Sequence, residues 1–187
     1  MLPLHYLLTE CAPMVAPSTM SAIVQVESGG NPLAMWNNST RSMVIPGSRA
    51  QAIQYLRQAI AAGQRVDVGL AQVDTENFAA FGLTPGTAFH VCTNLRAGAE
   101  ILRQDWNQSL ASGYRGQQAL YHAFEAYNSG RLTGDAAYAN RILRAPGNPS
   151  LFGNLTDSRV RIRYSLPQFL WKKTTSVQPA DGWTVLP

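Results

Sequence analysis

The sequence is poor in charged residues. Asp, Glu, Lys and Arg make up 14% of its 187 residues, whereas an average soluble domain has roughly 25%. Hydrophobic residues make up 45%, so the chain can bury one substantial core, and disorder throughout is excluded. The formal net charge of +4 favours anionic surroundings such as nucleic acid, lipid headgroups or cell-wall polymers. No helix-turn-helix, zinc-finger or RNA-binding motif accompanies that charge, so we expect no nucleic-acid partner.

Long hydrophobic runs and cysteines are also scarce. No apolar run approaches the roughly 20 residues of a membrane-spanning helix, so we expect no span. The opening residues, "MLPLHYLLTECAP", have no basic n-region and are not interpreted as an ordinary signal peptide. The two cysteines, Cys11 and Cys92, form either one disulfide in an oxidising compartment or two buried thiols. We expect no metal and no cofactor.

The pattern of apolar residues predicts an α+β fold that is mostly helical. Periodicity and end signals predict helices at 17–28, 48–63, 94–112, 117–128 and 135–143. In the second of these, Ser48 is the expected N-cap, and Ile53, Leu56 and Ile60 form the expected inner stripe.

The segments between the helices predict a small β region. Residues 33–47 are expected to form a polar loop. The stretch "RVDVGLAQVD" is expected to be extended, with Gly69 where the backbone comes close to another group. A soft boundary near 146–150 separates a domain at 1–146 from a C-terminal extension at 147–187 that is partly extended or flexible.

An acidic residue interrupts the apolar stripe of the first long helix. Met20, Ile23 and Val24 recur at helical spacing in "MSAIVQVESGG", and the next position of the stripe is Glu27. A carboxylate at a helix C-terminus meets the negative end of the helix dipole, and burial also disfavours its charged form. Both effects favour a neutral acid at physiological pH, which can protonate a glycosidic oxygen as it leaves. The alternative is a Glu at the edge of the stripe that is ion-paired or hydrated.

A conventional glycosidase pairs such an acid with a second carboxylate. The candidates are Asp67, Asp74, Glu76, Glu100, Asp105, Glu125 and Asp135. We expect Glu100, Asp105 and Glu125 to lie off the inner faces of their helices. Asp74 and Glu76 remain open as candidates. None of the seven interrupts an apolar pattern as Glu27 does.

Four motifs carry a resemblance to a known family. "VESGGNP", "VDVGLAQV", "NLRAGAEIL" and "AYNSG" occur in this order within residues 9–145, together with an opening "CAP" and with "VCTNL". This combination resembles the lytic transglycosylases with a goose-type lysozyme-like fold, and most closely the branch that accompanies type IV secretion and conjugation systems. The resemblance implies a lysozyme-like domain. It also implies a Cys11–Cys92 disulfide, because an early Cys and one before the "NL" helix recur in that branch.

The resemblance implies peptidoglycan as substrate and Glu27 as the single acid/base. Glu27 would protonate the β-1,4 bond between N-acetylmuramic acid and N-acetylglucosamine and then deprotonate the muramyl C6 hydroxyl, giving a 1,6-anhydro product. The substrate's own N-acetyl group would stabilise the positive charge at the anomeric carbon. No second carboxylate is then required.

Other positions carry over from the resemblance as substrate-binding residues. Gln72 would hydrogen-bond sugar, unless it is an ordinary solvent-facing strand residue. Tyr127 would place its hydroxyl near the reacting sugar, unless it is a core tyrosine. Asn128 would cap its helix and shape the site, and Tyr138 would border the cleft. Ala71 departs from the Met that the family usually has, which predicts a roomier wall and altered affinity with the chemistry retained.

Two alternatives stay open at this point. One is a hydrolysing lysozyme, and the other is a non-catalytic peptidoglycan-binding assembly factor of a secretion apparatus. The partners implied are peptidoglycan glycan strands and, through the arginines of the C-terminal tail, possible secretion-system proteins. The substrate implies the periplasm, by an export route that the sequence leaves open.

Overall fold

The computed structural model describes residues 4–145 and, as backbone, two short strands at 171–173 and 183–185. The helices of this part are α1 (Leu4–Cys11), α2 (Pro17–Ser28), α3 (Arg49–Ala61), α4 (Val91–Ala111), α5 (Gly116–Ser129) and α6 (Ala136–Arg144). The strands are β1 (Met35–Asn37), β2 (Ser42–Val44), β3 (Val66–Val68), β4 (Val73–Asp74), β5 (Trp171–Lys173) and β6 (Trp183–Val185). The lysozyme-like α+β class with a predominance of helix is confirmed.

The predicted helices form where their end signals stand. Helix α2 spans Pro17–Ser28 as predicted, and Gly29 follows it at φ 60°. The Ser48 hydroxyl accepts a hydrogen bond from the Gln51 N–H at 3.2 Å, so the predicted N-cap of α3 is confirmed. Helix α5 ends before Gly130, which adopts a left-handed conformation at φ 70°.

Two local predictions are wrong. Residues 33–47 contain β1 and β2 instead of a loop alone, because Asn37 accepts hydrogen bonds from the Ser39 and Thr40 N–H groups and turns the chain into a hairpin. In α3 the buried stripe comprises Ala52, Leu56 and Ala59. Ile60 is 38% exposed, since small alanines occupy the core-facing positions beside it.

The chain divides into two compact units, and the first comprises Met1–Ala12 and Ile23–Ala99. Its antiparallel sheet has the strand order β2-β1-β3-β4. One sheet face is buried and carries Met35, Val66, Val68 and Val73, whereas the other carries the side chains between them. The predicted Cys11–Cys92 disulfide is present within this unit, with the two Cα atoms 4.8 Å apart.

The second unit comprises Pro13–Ala22 and Glu100–Pro187. Its described part contains the start of α2, the end of α4, and helices α5 and α6. The largest buried side chains are those of Met20, Leu102, Trp106, Leu120, Phe124, Tyr138 and Ile142. Strands β5 and β6 pair antiparallel, with Trp171 opposite Val185. The boundary predicted near 146–150 and the rest of the predicted extension at 147–187 lie outside the described residues.

Among the described residues, every helix falls short of the length or the apolarity that crossing a membrane requires.

Candidate active site

Glu27 lies in the last turn of α2 and is half-buried. Three apolar residues on the same helix, Met20, Ile23 and Val24, are fully buried, as the stripe predicts. The next residue, Ser28, holds the helix end in place. Its Oγ lies 3.0 Å from the Val24 carbonyl oxygen and 2.9 Å from the Leu70 carbonyl oxygen, and it accepts from the Gly30 N–H at 3.2 Å. The helix end that carries Glu27 is therefore tied to the turn that joins β3 to β4.

That turn, residues 69–72, carries Gln72. The Gln72 side-chain Nε2 donates to the Gly69 carbonyl at 2.7 Å and to the Ala34 carbonyl at 3.0 Å. Gln72 also adopts φ 45°, a conformation that non-glycine residues rarely take. These bonds use the amide hydrogens of Gln72, so the Oε1 atom is the one left to accept from a ligand. Glu27 and Gln72 thus belong to the same unit, linked through Ser28 and Leu70.

Asn94 holds this turn by hydrogen bonds from its side chain. The sequence analysis assigned Asn94 no role. It is 1% exposed. Its Oδ1 accepts from the Ala71 N–H at 2.8 Å, and its Nδ2 donates to the Val68 carbonyl at 2.8 Å and to the Ala88 carbonyl at 3.1 Å. Its side chain also lies against Gly69, which confirms the close approach predicted there. The sequence signal for this role was the Asn that begins "NLRAGAEIL", because an Asn that becomes buried needs hydrogen-bond partners for its amide.

Tyr127 and Tyr138 lie together in the second unit. Their rings are stacked, with centroids 6.4 Å apart and an interplanar angle of 12°. Tyr138 is buried and Tyr127 is half-buried. The Arg141 guanidinium carbon lies 5.4 Å from the centroid of the Tyr138 ring, a cation–π contact that braces this ring from α6.

Asn128 is exposed at the end of α5 and acts on the start of α6. Its Nδ2 donates to Asp135 Oδ2 at 2.8 Å, while Asp135 Oδ1 accepts from the Tyr138 N–H at 2.8 Å. Asp135 is therefore the N-cap of α6, and Asn128 orients it. Asn128 holds the helix that carries Tyr138.

The sheet carries two of the carboxyl groups of the first unit, those of Asp67 and Asp74. Asp67 on β3 lies directly opposite Asp74 on β4. Burial raises the pKa of Asp67 to about 7, and the hydrogen bond from Asn38 Nδ2 to its Oδ2, 3.0 Å long, opposes that shift. Asp74 is paired with Arg65, whose Nη2 lies 2.7 Å from Asp74 Oδ2 and whose Nε lies 2.9 Å from Glu76 Oε2.

The prediction that Glu125 lies off the inner face of its helix is wrong, because Glu125 is only 4% exposed. Its Oε2 lies 2.6 Å from His122 Nδ1, which also lies 2.7 Å from the Leu132 carbonyl oxygen. The contact with His122 lowers the free-energy cost of burying the Glu125 carboxyl. The pair also connects α5 to the loop that precedes α6. Glu125 therefore has a structural partner of its own.

The two carboxyl groups of α4 differ in environment. Glu100 is half-buried and paired with Arg103, whose Nε lies 2.9 Å from Glu100 Oε2, and this hydrogen bonding lowers the pKa of Glu100. Burial raises the pKa of Asp105 to about 7. Within residues 4–145, Asp105 Oδ2 and Ser109 Oγ are buried atoms with no hydrogen-bond partner, one helical turn apart.

The comparisons with known proteins agree with the motifs. Residues 8–142 match the family model described as the transglycosylase SLT domain. Protein virB1 of Agrobacterium fabrum is 39% identical over 135 residues, which cover 72% of this chain and 54% of that protein. The type IV secretion system protein virB1 of Brucella abortus biovar 1 is 38% identical over 151 residues, covering 80% of this chain and 61% of that protein.

The chain thus spans between about half and two thirds of the length of these curated relatives. No solved structure matches. The family model covers most of the helical and sheet elements described above, including those that carry Glu27, Gln72 and Tyr127. The chain therefore belongs to the family of the transglycosylase SLT domain.

Proposed function

We propose that this chain is a peptidoglycan lytic transglycosylase in which Glu27 is the single acid/base. The observation that carries the proposal is the attachment of the helix end bearing Glu27 to the turn bearing Gln72, through the 2.9 Å contact of Ser28 Oγ with the Leu70 carbonyl. An acid that transfers a proton in two steps must keep its position through both, and this attachment restrains it.

The proposed reaction begins with proton transfer from the Glu27 carboxyl to the oxygen of the β-1,4 bond between N-acetylmuramic acid and N-acetylglucosamine. The bond to the anomeric carbon breaks, and the 2-acetamido group of the muramyl sugar stabilises the positive charge. The Glu27 carboxylate then takes the proton of the muramyl C6 hydroxyl, and the C6 oxygen bonds to the anomeric carbon. The products are a 1,6-anhydromuramyl end and a free N-acetylglucosamine end, with Glu27 again protonated.

The remaining site residues bind and orient the sugar in this proposal. Gln72 presents Oε1 to a hydroxyl or amide hydrogen of the glycan, since its Nε2 is held by two backbone carbonyls. Tyr127 contributes its hydroxyl, and its stacking on Tyr138 restrains the ring. Asn128 acts through Asp135 and α6. Asn128 is thus a positioning residue.

The biological setting is proposed from the relatives. A protein named as a type IV secretion system protein is 38% identical to 80% of this chain. We infer that this chain opens local gaps in peptidoglycan for such a system, in the periplasm. A role of the C-terminal extension in contacting secretion proteins is part of the same proposal.

The test is digestion of purified peptidoglycan followed by mass spectrometry of the released muropeptides. We expect 1,6-anhydromuramyl ends with the native chain and none with Glu27→Gln. Glu10→Gln is the matched control, because it removes another glutamate charge from the same unit at an exposed position of α1. Retained turnover in Glu27→Gln, with Glu10→Gln also active, would refute the assignment of the acid.

A hydrolysing lysozyme is the second candidate, and one observation favours it. Asp67 lies opposite Asp74 in the same unit as Glu27, and a carboxyl with a pKa near 7 is suited to activate water at neutral pH. Reducing muramyl ends in the same mass spectrum would select this reaction. Binding to peptidoglycan with no released fragment at all would select a non-catalytic assembly factor.

A further inference from the structure

The outer face of the four-stranded sheet carries exposed apolar side chains. Trp36 on β1 lies opposite Met43 on β2, so both side chains point away from the buried face. Trp36 is 38% exposed and Met43 is 68% exposed, and Ile45, two residues beyond Met43, is 62% exposed. None of these three side chains belongs to the buried core of the unit. An exposed apolar patch beside polar groups is typical of a binding surface.

The same face carries polar groups directly beside the tryptophan. Trp36 also lies opposite Asp67 on β3, so the row across the sheet runs Met43, Trp36, Asp67 and Asp74. Asn38 donates from Nδ2 to Asp67 Oδ2 at 3.0 Å, which holds the amide and the carboxyl in one orientation. Asn38 is itself fixed by a 2.9 Å hydrogen bond from its N–H to the Arg65 carbonyl.

This face continues from the turn that bears Gln72. The Gln72 amide and the Gly69 N–H both donate to the carbonyl of Ala34, at 3.0 Å and 2.8 Å. Ala34 precedes Trp36 by two residues, and two residues of an extended strand span about 7 Å. A polymer that contacts Gln72 therefore has the Trp36 row within reach along β1.

We propose that the outer face of this sheet, formed by Trp36, Met43, Asn38 and Asp67, is a binding platform for a neutral N-acetylated glycan. The proposal rests on the proposed function, and it extends the candidate site along the substrate chain. The Trp36 ring stacks on the apolar C–H face of a pyranose, and Asn38 and Asp67 exchange hydrogen bonds with its hydroxyl or acetamido groups.

The chemistry of the face favours a sugar over a protein partner. Pyranose rings present an apolar face and a rim of hydroxyl groups. This sheet face likewise has the apolar indole of Trp36 beside the amide of Asn38 and the carboxyl of Asp67. Because burial raises the pKa of Asp67 to about 7, this carboxyl is able to donate as well as accept near neutral pH, as a neutral hydroxyl-rich ligand requires. The apolar part comprises only Trp36, Met43 and Ile45, a small patch for a stable protein interface.

The experiment measures binding of the N-acetylglucosamine hexasaccharide to the full chain carrying Glu27→Gln, so that binding is observed without cleavage. We expect Trp36→Ala to raise the Kd about tenfold, Trp36→Phe to raise it by less, and Met43→Ala to raise it about threefold. Ile60→Ala is the matched control, because Ile60 is also 38% exposed but belongs to helix α3 and not to a strand of the sheet. We expect its Kd to equal that of the parent.

In the chain with Glu27 restored, we expect Trp36→Ala to raise the KM for peptidoglycan and to leave kcat within twofold. Folding of each variant is checked by its thermal unfolding midpoint, and Met43→Ala decides the outcome if Trp36→Ala does not fold. A Kd unchanged in the folded Trp36 and Met43 variants would overturn the platform. So would self-association of the chain that Trp36→Ala abolishes while the Kd stays constant.

The two proposals fail separately. Anhydromuramyl products together with Trp36-independent glycan binding would overturn only the platform. Trp36-dependent binding of the hexasaccharide by a chain that releases no fragment would retain the platform and overturn only the proposed reaction.

Discussion

The Asn94 side chain occupies the space that a Cβ atom on Gly69 would need. Such a Cβ would lie 2.6 Å from Asn94 Nδ2 and 2.8 Å from its Cγ, and Gly69 already adopts φ 79°. The amide that excludes the Cβ also holds the turn by bonds to Ala71 and Val68. The "VDVGLAQV" and "NLRAGAEIL" motifs thus depend on each other at one contact.

Replacement of Gly69 by alanine is expected to destabilise the fold strongly. Gly69→Ala combines a left-handed backbone with a steric clash against a side chain that is itself fixed, and we expect a loss of about 3 kcal/mol in the free energy of unfolding. The measurement is equilibrium denaturation in urea.

Two other glycines separate the contributions to that loss. At Gly82, φ is +64° and no atom lies within 4 Å of the added Cβ, so Gly82→Ala should cost only about 1 kcal/mol. At Gly86 the nearest atom is 3.7 Å away, so Gly86→Ala should be close to neutral. Equal losses in the free energy of unfolding for Gly69→Ala and Gly82→Ala would show that the Asn94 side chain moves aside for the added Cβ.

Asn94 itself is expected to be essential for the turn. Asn94→Ala leaves the Ala71 N–H and the Val68 and Ala88 carbonyls without their partner in a buried place, which should cost about 3 kcal/mol. Asn94→Asp keeps an acceptor for Ala71 but brings a carboxylate against two carbonyls, so it should not restore stability. Thermal unfolding of both variants measures the effect.

Asn140→Ala is the control for Asn94. Asn140 makes two hydrogen bonds through Nδ2, to the Ala136 carbonyl and the Tyr121 hydroxyl, at a half-buried position where water can replace it. We expect at most about 1 kcal/mol for its loss. A comparable loss for both asparagines would contradict the role given to Asn94.

Asp105 is expected to make the fold less stable as the pH rises. Burial raises its pKa in the folded chain to about 7 from an ordinary value of 3.8. The folded state therefore holds this proton more tightly than the unfolded state, and the favourable contribution, present below about pH 4, is lost as the pH rises to about 7. Asp105→Asn should be more stable than the native chain above pH 7 and close to it near pH 4.

Glu100→Gln is the opposite control, because pairing with Arg103 lowers the pKa of Glu100. This carboxylate stabilises the fold at neutral pH, and that stability is lost on acidification. The variant should therefore be slightly less stable than the native chain at pH 7. A gain from Asp105→Asn that does not change with pH would contradict the assigned cause.

The disulfide is expected to contribute substantially to stability. Cys11 and Cys92 are 81 residues apart in sequence, and a cross-link that closes a loop of this length is worth about 4 kcal/mol in the chain-entropy model. A Cys11→Ala, Cys92→Ala double variant should unfold at a markedly lower temperature. Dithiothreitol should lower the midpoint of the native chain and leave that of the double variant unchanged; equal midpoints without reductant would contradict the prediction.

Helices were the part of the fold most accessible from the sequence. The start at Pro17 and the glycines after Ser28 bound α2, and Ser48 caps α3, because capping residues and glycines act through local backbone geometry. The hairpin of β1 and β2 was missed. Its strands are three residues long, too short for an alternating pattern to stand out from a polar loop.

The candidate site likewise contains residues that the sequence identified and residues that it did not. Glu27 stood out because it breaks an apolar stripe whose other members are buried. Glu125 was misjudged, since its burial depends on His122 and on the Leu132 carbonyl ten residues further along the chain. Trp36 and Asp67 became neighbours only through the pairing of β1 with β3.

By itself the sequence determined the ends of α2, the N-cap of α3, the place of Glu27 in an apolar stripe and the family, because each is written in adjacent or helically spaced residues. The tertiary structure alone decided that Asn94 holds the turn of Gln72 and that Trp36, Asn38 and Asp67 share one face. These relationships join residues that are distant along the chain, and their energies depend on burial and hydrogen-bond geometry that no local pattern encodes.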